Sequence, residues 1–335
     1  MRIGRDVELE LRAERRRPRP PEDPLRPLRV ALLAGAFVAG SIGLSGLWSG
    51  MGLPALQGAS PALEATGPAA SGIETGTQEG QAAQGGTDSA AAVAAVGAKT
   101  QPGDPPGWVR IPKPALSGPR KVGIQAGHWR TDQAPPELRQ LLTQTGTSWD
   151  GYTEWETNLD IAERVAVILR ARGLVADVLP TIVPPGYVAD AFVSLHSDGD
   201  GTGGKSGFKL AHSTRRTPHE DALQRLLAEA YAAGTGLDYD AAGISAGMRS
   251  YYAHSWSRVS WSTSPFTPSV ILEMGFLSND HDRGLIVDEP DRLAGAIATG
   301  ILKFLDATSR DALFGQDLVI PPAPPRRTAS PSPRL

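Results

Sequence analysis

The chain has 335 residues, with 33 Lys and Arg against 36 Asp and Glu for a formal net charge of −3, and no cysteine. The missing cysteine excludes disulfides, thiolate metal ligands and a cysteine nucleophile. The net charge argues neither for nor against nucleic acid, no basic face stands out in the folded part, and nucleic acid is not expected as a partner. Its 38 glycines and 29 prolines are spread unevenly, and that unevenness divides the chain.

Residues 1–29 are charged and proline-rich, with Arg15, Arg16, Arg17, Arg19, Arg26 and Arg29 upstream of an uncharged stretch. Residues 30–53 carry no ionisable side chain, and Val30 to Trp48 already approaches the ~20 residues needed to cross a hydrocarbon core. This is expected to be a single membrane-spanning segment, with the arginine-rich amino terminus inside and the rest outside. A signal peptide is the rival reading, and under either the remainder is exported. Residues 54–107 are rich in Gly, Ala, Ser, Thr, Gln and Pro, a composition that cannot bury enough apolar surface to fold, and are expected to be a flexible tether. Residues 108–308 form the folded unit, and 309–335, ending in PPAPPRR and SPSPRL, a proline-rich tail.

Within the folded unit, Lys121 to Ala126 reads as a strand, Gly127 as a turn and His128 as the first side chain beyond it. A long loop containing Trp129, Trp149, Tyr152 and Trp155 leads into a helix from about Glu154 to Arg172. There Leu159, Ala162, Val165, Ala166 and Leu169 recur at helical spacing and Gly173 stands as terminator. Thr153 with Glu156 fits a capping box, which accounts for Glu156 structurally and leaves Glu154 free to point elsewhere.

Val175 to Leu179 reads as a strand, and Ala191 to Leu195 as another that ends at His196. Ser206 to Leu210 reads as an edge strand, and a second helix runs from Pro218 to about Ala233, stopped by Gly234 and Gly236. Ser269 to Leu272 forms a buried strand that runs into Glu273, and a last helix covers about Pro290 to Leu305. The alternation implies a single α/β domain: a mixed, largely parallel twisted sheet with helices on both faces.

Three strands therefore deliver His128, His196 and Glu273 to their carboxyl ends, where ligand sites of open α/β sheets lie. Two imidazoles and the carboxylate of Glu154 make a set that holds Zn²⁺ and leaves a fourth position open. Glu273 is left over as general base, which makes hydrolysis of an amide or ester the expected chemistry. His212, His219 and His281 have no spacing that demands a metal and stay outside the site; His254, upstream of the Glu273 strand, is expected in solvent or a satellite core, with approach to the site as the alternative.

The order of a glycine and histidine after the first strand, a glutamate ahead of NLxIAxxVAxxLxxxG, then FVSLH, then ILEMGFLSN resembles the zinc-dependent N-acetylmuramoyl-L-alanine amidases, over about residues 120–306. The resemblance implies cleavage of the bond between muramic acid and the first alanine of the peptidoglycan stem peptide. It implies one zinc held by His128, Glu154 and His196, Glu273 as catalytic residue, and peptidoglycan as substrate. The chain departs from the family's pattern at Trp129 and Arg130, where small residues are usual, in a longer loop from His128 to Glu154, and in a shortened stretch before His196. It carries no long insertion resembling an autoinhibitory helix, and a protein activator is left unnamed. Two rivals stand beside this reading: another exported zinc peptidase or deacylase, and a non-catalytic wall-binding module.

Overall fold

The computed structural model describes residues 97–99, 102, 105–106, 108–214 and 217–320. The arginine-rich segment, the expected membrane segment at 30–53, most of the tether and residues 321–335 lie outside the described residues. Among the described residues no helix is long and apolar enough to cross a membrane.

The elements, in chain order, are β1 (Val109–Ile111), β2 (Lys121–Ala126), β3 (Ser148–Trp149), β4 (Tyr152–Thr153), α1 (Glu154–Ala171), β5 (Val175–Leu179), β6 (Ala191–Asp198) and β7 (Lys209–Ala211). There follow α2 (Pro218–Thr235), the four-residue α3 (Ala246–Arg249), β8 (Ser269–Phe276), α4 (Asp280–Asp288), α5 (Pro290–Ala307), α6 (Arg310–Phe314) and β9 (Leu318–Ile320). The central sheet has the order β5-β2-β6-β8-β7, parallel throughout except for β7, which runs antiparallel to β8 at the edge.

Strand periodicity decides which side chains go where, because successive residues point to opposite faces. Val122, Ile124 and Ala126 of β2, Val193 and Leu195 of β6, and Val270, Leu272 and Met274 of β8 join one core with Ile161, Val165 and Leu169 of α1, Leu223 and Leu227 of α2, and Leu293, Ile297 and Ile301 of α5. The alternate residues, among them Gln125, Ser194, His196, Ile271 and Glu273, belong to the other face. Helices stand on both faces as expected, but unequally. The three long ones share the first face, whereas α3, two 3₁₀ turns at Pro136–Thr143 and Tyr252–His254, and the chain around Tyr187 cover the second.

Several expected boundaries shift. The capping box foreseen at Thr153 does not cap a backbone N–H. Its hydroxyl instead donates to Glu156 at 2.5 Å, side chain to side chain. The complete box forms at the start of α2, where the Thr217 side chain and Glu220 satisfy each other's backbone groups. That helix runs through Gly234 and ends at Gly236 in the left-handed conformation. The strand containing Glu273 does not end there: it continues to Phe276, so the carboxylate lies inside the strand.

The limits at 108 and 308 also move outward. Lys99 exchanges two 2.8 Å backbone hydrogen bonds with Arg110. Beyond residue 308, α6 buries Leu313 and Phe314 in the main core, and β9 pairs antiparallel with β1. Arg310 reaches the fully buried carboxylate of Asp190, which Arg120 and the Lys121 N–H also engage. Proline-rich composition therefore sets in only after Ile320.

Candidate metal centre and active site

The first of the foreseen residues, His128, sits just past β2 with φ 64°, the left-handed region that only a few per cent of non-glycine residues adopt. Its Nδ1 lies 2.7 Å from the Gln144 carbonyl, so Nδ1 carries the proton and Nε2 turns inward, 3.3 Å from Glu154 Oε1. From the neighbouring strand, His196 brings Nδ1 to 3.1 Å from the same oxygen, and its ring stands edge-on to that of His128 at 4.8 Å between centroids.

Glu154 is all but inaccessible to solvent at 1% exposure, in the first turn of α1. Its second oxygen accepts the Thr147 N–H at 2.8 Å, and its first accepts the Ser197 N–H at 3.1 Å and the Asn158 amide at 3.4 Å. Asn158 itself is tied to the Gly127 carbonyl and to the Ser197 hydroxyl. Burial pushes the Glu154 pKa up, but the two histidines outweigh it and hold the group well below the usual carboxylate range. Burial lowers the His128 pKa while Glu154 raises it, with a net rise; at His196 burial and the charge of His128 win, with a net fall.

Two glycines make room for this cluster. A Cβ at Gly127 would lie 2.4 Å from the His196 ring. At Gly146, with φ +82°, it would lie 2.7 Å from Glu154 Oε2 and 2.9 Å from the His128 ring.

His128, Glu154 and His196 thus form a group whose ligand atoms all fall within 4.8 Å of one another. Two imidazole nitrogens and a carboxylate oxygen are the donor set for zinc. Each ring's other nitrogen is engaged by a fixed partner, Gln144 for His128 and the Tyr251 hydroxyl at 3.2 Å for His196, as such ligands require. The donors therefore fit the metal that the sequence leads one to expect.

Glu273 stands next to this group. It pairs in register with His196 on one side and with Lys209 of β7 on the other, and it is 3% exposed. Burial, then the charge of Glu154, pushes its pKa up to about 8, against the opposing pull of Lys209. Lys209 is buried too, ion-paired with Asp198, its ammonium 4.8 Å from the centre of the Phe276 ring.

All four foreseen residues are brought together, and the other four histidines stay out of the cluster. His212 pairs with Asp221, His281 is exposed beside Asp282, and His219 lies in the first turn of α2. His254 is buried behind Tyr251, ring to ring at 5.7 Å.

Residues 186–303 match the N-acetylmuramoyl-L-alanine amidase family. The resemblance read from the sequence is borne out. The amidase match contains His196 and Glu273; His128 and Glu154 lie upstream of it and are joined to it by the contacts at Glu154 Oε1. No curated protein matches the chain. Among solved structures, it is similar to the N-acetylmuramyl-L-alanine amidase Ami1 of Mycobacterium smegmatis, at 20% identity and TM-score 0.43, over 58% of this chain and 100% of that one. It is also similar to the amidase AmiC2 of Nostoc punctiforme, at 22% identity and TM-score 0.41, over 57% and 99%. A third is the catalytic domain of the amidase CwlV of Bacillus (Paenibacillus) polymyxa, at 24% identity and TM-score 0.38, over 56% and 99%.

Sequence reasoning missed the partners that orient the site. Gln144 and Thr147 contribute backbone groups, which leave no mark in side-chain chemistry. Tyr251, within an aromatic and serine-rich stretch, has no periodic pattern to single it out. Of the loop aromatics, Trp129 and Tyr152 pack on the main core, whereas Trp149 lines an open groove of about 410 Å³ with Ser278 and Asn279.

Proposed function

We propose that the chain is a zinc-dependent hydrolase that cuts the amide bond between N-acetylmuramic acid and the L-alanine of the peptidoglycan stem peptide. The observation that carries this reading is the convergence of His128 and His196 on one oxygen of Glu154, with the buried Glu273 in register beside His196, in a chain that matches the amidase family. His128, Glu154 and His196 would hold the ion. Bound there, zinc supplies a Lewis acid for the scissile carbonyl.

Glu273 does the proton work. Its carboxylate takes a proton from the attacking water as the oxygen bonds to the carbonyl carbon. It then gives that proton to the alanine nitrogen as the carbon–nitrogen bond breaks. Burial among β6, β7 and β8 raises the pKa of Glu273 with no ion bound, which makes its ionised form a stronger base than an exposed carboxylate; a neighbouring cation favours that ionised form. The network around Glu154 keeps the ligand carboxylate ionised, so two neighbouring acids are given different tasks.

The arginine-rich start and uncharged segment at 30–53 support a membrane-tethered enzyme with its catalytic domain outside the cytoplasm. The reading is tested by mass spectrometry of peptidoglycan fragments incubated with the full chain and zinc. Stem peptides with a free alanine amino terminus are expected. Intact fragments from a folded, zinc-loaded chain would point to another amide substrate.

A further inference from the structure

Beneath the metal-binding face of the sheet lies a buried polar network that amide hydrolysis does not by itself require. Gln125 of β2 and Ser194 of β6 point to that face between the metal cluster and the second core. Gln125 donates its amide to the Thr181 carbonyl at 2.5 Å and to the Tyr252 hydroxyl at 2.8 Å. Its oxygen accepts from the Ser194 hydroxyl and lies 2.9 Å from the Tyr251 hydroxyl oxygen, within reach of that hydroxyl's proton. Tyr251 in turn lies 3.2 Å from His196 Nε2. Every polar atom of the Gln125 amide is satisfied, so its oxygen faces Tyr251 and the whole array is fixed.

We infer that Tyr251 is a positioning residue, which sets the orientation and tautomer of His196 and thereby the affinity of the metal site. The two nitrogens of the His196 ring have different partners. With no ion present, Nδ1 at 3.1 Å from the Glu154 carboxylate carries the ring proton, and Nε2 accepts from the Tyr251 hydroxyl. To act as a ligand, Nδ1 must present its lone pair. It then gives up its proton, Nε2 takes one, and the ring stays neutral.

Nε2–H now needs an acceptor. Tyr251 supplies it, because its own proton has a second place to go, the Gln125 oxygen. The same hydroxyl thus satisfies His196 in either tautomer, and Gln125 makes the second one available. A phenylalanine there leaves Nε2–H buried with no partner, which favours the tautomer that cannot bind. Loss of such outer partners typically weakens a metal site by about 10–100-fold.

The inference rests on the metal reading, and Tyr252 separates it from a merely structural role. Tyr252 hydrogen-bonds the same glutamine and packs on the Tyr251 ring, whereas the His196 ring nitrogens are engaged by Glu154 and Tyr251. The test uses the full chain as wild type, Tyr251→Phe and Tyr252→Phe, each checked for folding by thermal melting. Zinc affinity is measured by competition with a chromophoric chelator, and the ring-nitrogen NMR shifts of His196 are recorded without metal. Tyr251→Phe is expected to weaken zinc binding by about 10–100-fold and to move the His196 shifts. Tyr252→Phe is expected to lower the melting temperature while changing zinc affinity and the His196 shifts far less than Tyr251→Phe does. Equal loss of affinity in the two variants, or unchanged affinity and shifts in Tyr251→Phe, would overturn the inference. Should the wild type fail to bind zinc while the His196 shifts still respond to Tyr251 alone, the metal reading would fall and the hold of Tyr251 on His196 would stand.

Discussion

His196 and Glu273 are register partners on the adjacent parallel strands β6 and β8. Partners in register share a face and stand about 4.8 Å apart across the sheet, so one strand spacing separates a metal ligand from a buried acid. The arrangement needs no loop to hold it. Both side chains are set by backbone ladders at the centre of the sheet, where an opening would cost the whole fold.

The close approach at Gly146 makes the ligand cluster sensitive to a single methyl group. Gly146→Ala places a Cβ within 2.7 Å of Glu154 Oε2 at a residue held at φ +82°. Zinc affinity should fall at least tenfold and stability by about 1–3 kcal/mol. Calorimetric titration with zinc and a thermal melt of the same sample check both.

Much of this was legible in the sequence. Val175 to Leu179 has the expected bounds because the segment between Gly173 and Pro180, with Val175 and Val178 in it, is too short for a helix. Glu154 could be told from Glu156 because Thr153, three positions ahead, offered Glu156 a local partner; the two do bond, side chain to side chain, although no capping box forms. What stayed hidden was long-range. Tyr251 and Gln125 are 126 residues apart in the chain and meet only in the folded state. Arg310 was lost in an apparent tail because its partner, Asp190, is 120 residues upstream.

Asp190 ties the end of the domain to its first central strand. Asp190→Asn leaves Arg120 and Arg310 without their buried counter-charge and should cost about 3 kcal/mol. Although burial raises its pKa, the two arginines and the Lys121 N–H win and lower it overall. Its contribution is therefore present above the unfolded carboxylate value and is lost as pH falls through the lower folded one. Denaturant unfolding of wild type and variant at neutral and strongly acidic pH should show the difference shrinking with acidification.

His254 gives a second, separate acid sensitivity. Burial pushes its pKa down to about 3, with only the Met248 carbonyl to support a proton. The unfolded chain binds that proton more readily, so stability should fall as pH drops below the ordinary histidine value and go on falling towards the folded one. His254→Gln, which keeps a donor for Met248 and does not titrate, should flatten the melting-temperature profile between pH 7 and pH 4. An equally steep profile in the variant would assign the loss to other groups.

The most direct test of the central claim is turnover of Glu273→Gln on purified peptidoglycan, with zinc content measured in the same preparation. The substitution keeps size and polarity but removes the base. One zinc per chain with turnover reduced by about 10²–10⁴ is expected. Turnover equal to wild type at full zinc content would contradict the assignment of Glu273 as the residue that moves the proton.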